Sequence, residues 1–335
     1  MSNVETMFTA NNRPLPWENL GEKVSGALNS QDAIKAAKLD WLVYPMPVFS
    51  EVSCCDNSIF TKKMIKAEKY VANVRDKDNK ILGIVTKKYK IIQNIEAFAF
   101  TDKLLGNRNI VYETAGSIDG GKRIWLLARI PAMFRILDDD IDPYIVFTNT
   151  HDGSGAVKVI MTPVRVVCKN TLNLALQTAK RCWSASHIGN INEKITMARE
   201  TILNAKSYMD YLKLSAEKLY KIKLDTEKVE AIIEDLLPIR KGGKKEHKAN
   251  TERRRKDLFY RFKYAPDLQN YKDTGYALIN AVSDYASHQP FYEAFTKGNI
   301  KKNTSIQNLR ERNFVRNIDG MELLDKAYKK ILEYA

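Results

Sequence analysis

The first half of the chain alternates apolar and polar residues in short runs, and the second half carries apolar residues at spacings of three and four. Period two predicts strands at Lys69 to Arg75 and Ile81 to Ile92, with Asp76-Lys77-Asp78-Asn79-Lys80 as the turn between them. A second hairpin joins Asn109 to Ile118 with Lys122 to Ile130 at Asp119-Gly120-Gly121. A third joins Tyr144 to Asn149 with Ala156 to Thr162 through Asp152-Gly153-Ser154-Gly155. Between the first two, Asn94 is placed to cap a helix that buries Ile95, Phe98, Ala99 and Leu105 and stops at Gly106. Residues Met161 to Lys169 read as a strand with Arg165, Val167 and Lys169 on one side, running into a helix Thr171 to Ala179 capped by Asn170. The pattern predicts an α+β fold: a mostly antiparallel hairpin sheet with helices on one face, followed by a helical C-terminal region.

Three regions follow from it. Residues 1–61 read as an irregular N-terminal arm with one short helix, Gln31 to Lys38 capped by Ser30, and a strand Leu39 to Val43 stopped by Pro45 and Pro47. Trp17 and Trp41 are expected to anchor it. Residues 62–189 form the α+β core, and 190–335 are helical with a basic loop at 238–257. In the helical region Ile195, Ala198, Ile202, Ala205, Met209, Leu212, Ala216 and Leu219 keep a heptad-like seam, expected to pack within its own chain rather than as a coiled coil between copies. Asp225 to Leu237, Gly275 to Ser287 and Met321 to Tyr334 are further helices.

Composition narrows the class. At 335 residues, 44% hydrophobic and 28% charged, this is an ordinary globular chain long enough for a large core. No apolar run approaches the roughly 20 residues of a membrane span, and Met1 to Ala10 is not signal-like, so an intracellular protein without a membrane partner is expected. Cys54, Cys55, Cys168 and Cys182 do not form a disulfide framework. A zinc set of Cys168, Cys182, His151 and His187 lacks ligand spacing, so no metal and no cofactor are expected.

Charge is the strongest compositional signal. The net charge is +14, concentrated at Pro238 to Lys263 (net +8), Phe60 to Lys90 (net +7) and Thr296 to Arg316 (net +5). Segregated positive charge predicts a polyanionic partner, nucleic acid first. Candidate contacts are Lys87, Lys88, Tyr89 and Lys90; Arg123, Trp125 and Arg129 on one strand face; Arg165 and Lys169 beside a helix start; and Arg240, Lys241, Lys244, Lys245, Arg253, Arg254 and Arg255 in the basic loop. Lysines and arginines would hold phosphates while Trp125 or Tyr89 supports unstacked bases.

Enzymatic motifs are weak. Gly116 to Lys122, GSIDGGK, resembles a phosphate loop, but Arg123 stands where a Ser/Thr is needed and the next segment is a strand; a hairpin turn fits better. No Ser, His and carboxylate spacing supports nucleophilic catalysis. The acidic run Asp138, Asp139, Asp140 and Asp142 leaves a metal-dependent nuclease as an alternative.

Six ordered blocks carry a family resemblance: Pro16 to Gly21, Ala33 with Ala37 to Trp41, Tyr89 to Asn94, Gly120 to Trp125, Thr162 to Leu172, and Gly275 to His288. Over residues 13 to 290 the chain resembles the phage/plasmid-like protein family built on a domain of unknown function. The resemblance implies a mobile-element origin and a bacterial cytoplasmic setting, and brings no catalytic residues. In architecture alone the chain is similar to phage single-strand annealing proteins, which implies a homo-oligomer that needs no ATP. The expected function is binding and annealing of single-stranded DNA in recombination or replication. A counter-defence module docking on a host protein is the other alternative.

Overall fold

A computed structural model describes residues 4–10, 21–25, 29–56, 59–105, 111–130, 134–165, 182–190, 193, 197, 205–239, 242, 245–287 and 322–334; at 54–56, 59–61, 103–105, 165 and 205–206 it describes the backbone. The elements are β1 (Val4–Ala10), β2 (Glu22–Val24), α1 (Ser30–Ala36), β3 (Val43–Asp56), β4 (Ile59–Arg75), β5 (Lys80–Thr86), α2 (Asn94–Leu105), β6 (Val111–Ile118), β7 (Arg123–Arg129), β8 (Phe134–Ile136), β9 (Asp139–Thr150), β10 (Val157–Arg165) and β11 (Cys182–Ala185). After them come α3 (Ala205–Lys221), α4 (Thr226–Leu236), α5 (Lys245–Tyr264), a 3-10 turn Pro266–Tyr271, α6 (Gly275–Ser287) and α7 (Glu322–Glu333).

The larger sheet has the order β11-β10-β9-β7-β6-β1-β2, with β8 paired to β9. Every pairing is antiparallel except β1 with β2. The three-stranded sheet β3-β4-β5 is an antiparallel meander. The α+β class expected from the sequence is the class observed. The predicted hairpins form at their predicted turns, and GSIDGGK is the end of β6 followed by the β6-β7 turn, with Asp119, Gly120 and Gly121 all at positive φ. No helix among the described residues is long and apolar enough to cross a membrane.

The larger sheet is buried on both faces. Ile124, Leu126 and Ala128 of β7 join Phe8, Ala115 and Phe147 in the main core, against which α1, α2 and the C-terminal helices pack. Trp125 and Leu127 face the other way, into a second core with Met7, Ile118, Tyr144 and Val146. In the helical region α6 is central: it touches α3, α5 and α7, and a Cβ on its Gly275 would meet Ile331 Cγ2 at 2.6 Å. Met209, Leu212, Ala216 and Leu219 of the predicted seam are buried in this intrachain packing, whereas Ile195, Ala198 and Ile202 lie outside the described residues.

Five expectations are corrected. The N-terminal arm is not wholly irregular, because β1 hydrogen-bonds along β6 in the larger sheet. Pro45 and Pro47 do not stop a strand: β3 runs through both, which an edge strand tolerates because it needs no donor on its open side. The cap of α1 is Asn29, whose Oδ1 accepts from Asp32 N at 2.9 Å. The side chain of Asn94 is spent elsewhere, with Nδ2 donating to Leu39 O and Oδ1 accepting from His151, while Ile95 and Ala99 on its helix are exposed. Residues 245–257 of the supposed loop are the first part of the 20-residue helix α5.

Candidate nucleic-acid interface

The most unusual basic feature is the outer half of the β3-β4 hairpin. Strand β5 pairs with Tyr70 to Arg75 of β4 and goes no further. Beyond an irregularity after Pro47, Phe49 to Asp56 pairs with Ile59 to Lys66 as a ribbon of two strands, about 26 Å long at the usual strand rise. Residues facing each other across antiparallel strands share a face. One face therefore holds Phe49 opposite Lys66, Glu51 opposite Met64 and Ser53 opposite Lys62; the other holds Ser50 opposite Ile65 and Val52 opposite Lys63. All these side chains are exposed. Each face mixes lysines with large apolar groups, the chemistry that pairs with phosphates and with bases or sugars.

The basic track continues at the root of the ribbon. Lys87 N donates to Lys69 O at 3.1 Å, which sets Lys87 beside Lys69, with Lys88 next in the chain. Local acids neutralise little of it: Glu51 pairs with Lys62 at 2.8 Å and Glu68 with Lys87 at 3.5 Å. Among the described residues Lys63, Lys66, Lys69, Lys88 and Lys90 have no carboxylate within pairing distance. Sequence reading did not single out Lys62, Lys63, Lys66 and Lys69 as candidate contacts, although the charge of Phe60 to Lys90 pointed at the segment.

Two tethers fix the three-stranded sheet that carries the ribbon to the larger sheet. Arg75, on the inner face of β4, donates to both Glu5 carboxylate oxygens of β1 at 2.9 Å and to Asp78 at 2.9 and 2.7 Å. Its guanidinium hydrogen bonds hold Glu5 below the usual carboxylate range and Asp78 at about 2. Asn73 Nδ2 donates to His151 O at 2.7 Å. A Cβ on Gly83 would lie 2.5 Å from Asp152 Cα, so β5 rests directly on the β9-β10 turn.

Of the predicted contacts, Lys87, Lys88 and Lys90 are exposed as expected. Tyr89 is not free to stack on a base. Its hydroxyl donates to Thr150 O, its ring stacks on His187 at 4.4 Å between centroids, and burial raises its pKa. His187 Nδ1 donates to Lys90 O at 2.9 Å, and His151 Nε2 donates to Asn94 Oδ1 at 3.0 Å. Burial, with the neighbouring His187 adding to it, pushes the His151 imidazole down to about 3. Both imidazoles are therefore parts of the packed joint between the three-stranded sheet and the larger sheet.

Trp125 is fully buried and cannot support a base. Its partner across the strands is Gly116, where an added Cβ would approach the indole Cη2 to 2.5 Å. Arg129 is bonded to the fully buried Glu113 at 3.2 Å, so its charge balances a core carboxylate. Arg123 is half-buried at the start of β7. Arg165 ends β10 opposite Ile141, and its side chain lies outside the described part; Lys169, Asn170 and the helix expected after them lie outside the described residues, as do Arg240, Lys241 and Lys244.

Helix α5 offers a second basic surface. Lys245, Lys248, Arg253 and Lys256 are exposed, and Tyr260 and Tyr264 follow one turn apart with rings 4.9 Å between centroids. Arg254 and Arg255 are engaged in packing. Arg254 Nε donates to Tyr285 OH at 2.6 Å, and Arg255 bonds Leu237 O at 3.0 Å and Glu234 at 2.6 Å, closing the C-terminal end of α4.

The acidic run does not assemble a metal centre. On β9 Asp139 and Asp142 are buried and Asp140 is exposed, and Asp139 accepts from Tyr276 OH at 2.7 Å. Among the described residues no three His, Cys, Asp or Glu side chains converge as metal ligands.

No curated protein and no solved structure matches the chain. Residues 81–308, more than half of the sequence and including β5 after Lys80, the larger sheet from β6 to β11 and most of the helical region, match the family model DUF932, a domain of unknown function, and the chain belongs to that family.

Proposed function

We propose that this protein binds DNA, single strands in particular, and promotes their annealing without ATP in the recombination or replication of a phage or plasmid. The observation that carries this reading is the two-stranded ribbon with Lys62, Lys63 and Lys66 interleaved with Phe49, Val52, Met64 and Ile65, continued by Lys69, Lys87 and Lys88. Phosphates are neutralised by the lysines, and the apolar side chains lie against unstacked bases. Base pairing then supplies the free energy of annealing, while the protein screens the repulsion between two phosphate backbones. The exposed face of α5, with Lys256, Tyr260 and Tyr264, provides further contacts of the same type.

The mobile-element setting rests on the sequence blocks that resemble the phage/plasmid-like family. An annealing assay with complementary oligonucleotides, run without nucleotide, tests the proposal. Duplex formation should be faster with protein than without, and binding to single strands should exceed binding to the duplex. No acceleration, together with no retention of either DNA form at low salt, would overturn it.

A further inference from the structure

The three-stranded sheet has a second face that nothing described covers. Its inner face, with Val43, Asn73, Arg75, Leu82 and Val85, is buried against the larger sheet's turns. A bulge places Leu82 and Gly83 together opposite Asn73, so Ile81 and Ile84 both turn outward. Two apolar rows then cross the outer face: Tyr44, Val74 and Ile81, and Met46, Ala72 and Ile84, with Tyr70 beside the second row. Tyr44, Met46, Tyr70, Ile81 and Ile84 are each 48 to 59% exposed. Isolated exposed apolar residues are ordinary, but two complete rows on one sheet face mark a contact surface.

We propose that this outer face of β3-β4-β5 is a self-association surface, on which a second copy of the chain packs face to face. Neither row contains a charged residue, whereas a polyanion or an anionic lipid surface would need cations within the patch. The net charge of +14 makes two copies repel, and a contact patch without lysine or arginine is where that repulsion is least. Face-to-face docking is also the geometry left open at β3, because Pro45 and Pro47 lack the N–H groups that pairing along that edge would use. Five large side chains of roughly 200 Å² each, about half exposed, give about 500 Å² per copy, so a pair buries about 1,000 Å², the lower bound for a specific interface.

The test is sedimentation velocity on the full chain, free of DNA, at low and high salt. Wild type should sediment as a dimer, and high salt should hold or strengthen the dimer while it weakens DNA binding. Met46→Lys with Ile84→Lys should sediment as a monomer with an unchanged thermal transition. Ile95→Lys, at an exposed apolar site on α2 outside the patch, should remain a dimer. A wild-type monomer at all concentrations, or a dimer that survives Met46→Lys with Ile84→Lys, overturns the proposal whether or not the protein binds DNA. A monomer that instead binds neutral or anionic vesicles through this face overturns it equally.

Discussion

Arg75 and Glu5 face each other through two parallel hydrogen bonds of 2.9 Å each, joining the end of β4 in the three-stranded sheet to the first strand of the larger sheet. The Arg75 side chain is 6% exposed, so its charge is compensated by Glu5 and Asp78 rather than by water. Arg75→Ala should lower stability by about 1–2 kcal/mol, less than for a fully buried pair because the Glu5 and Asp78 carboxylates left behind reach solvent. Glu5→Gln should cost less, since Asp78 still holds Arg75. Denaturant midpoints of the two variants check the order. Because the Glu5 pKa is lowered in the fold, this support is present above the ordinary carboxylate range and is lost as pH falls through the depressed value.

A second pH effect has a separate window. His151 is neutral in the fold down to about pH 3, whereas an unfolded histidine takes its proton near 6.5. Between those values the unfolded state binds more protons, so stability should fall as pH drops from 6.5, by up to about 1.4 kcal/mol per pH unit. His151→Gln should flatten the stability curve between pH 6.5 and the carboxylate range and leave the Glu5-dependent loss below it. Equilibrium unfolding at stepped pH separates the two.

Trp125 tests whether the larger sheet face binds DNA. Trp125→Ala should cost about 3–5 kcal/mol, as for other buried large-to-small changes. Trp125→Phe should fold and bind single-stranded DNA with the affinity of wild type, measured by fluorescence anisotropy. A large loss of affinity in a variant with an intact thermal transition would return Trp125 to the binding surface.

Which of these features the sequence revealed depends on whether the deciding interaction is local. The β6-β7 hairpin was legible because Asp119-Gly120-Gly121 must adopt positive φ, and alternation on each side sets the register. The face shared by Arg123, Trp125 and Arg129 was legible as well, but alternation says which residues lie together and not what covers them. The outer half of β4 was hidden because Lys62-Lys63-Met64-Ile65-Lys66 has solvent on both faces and therefore no alternation to read. Strand β1 depends on its distant partner β6. The first turns of α5 lack an apolar stripe, and that helix is held from its later part by Leu258 and Phe262 and by Arg255 on Leu237 O.

If the ribbon and its root hold the DNA backbone, as proposed, the salt dependence of single-stranded DNA binding must report it, compared between wild type and a variant with Lys63, Lys66, Lys69 and Lys88 changed to Ser. With about 0.7 counterions released per phosphate contact, the slope of log affinity against log salt should become shallower by roughly 2–3, with affinity at low salt reduced more than tenfold. The same slope and the same affinity in the folded variant would contradict the claim.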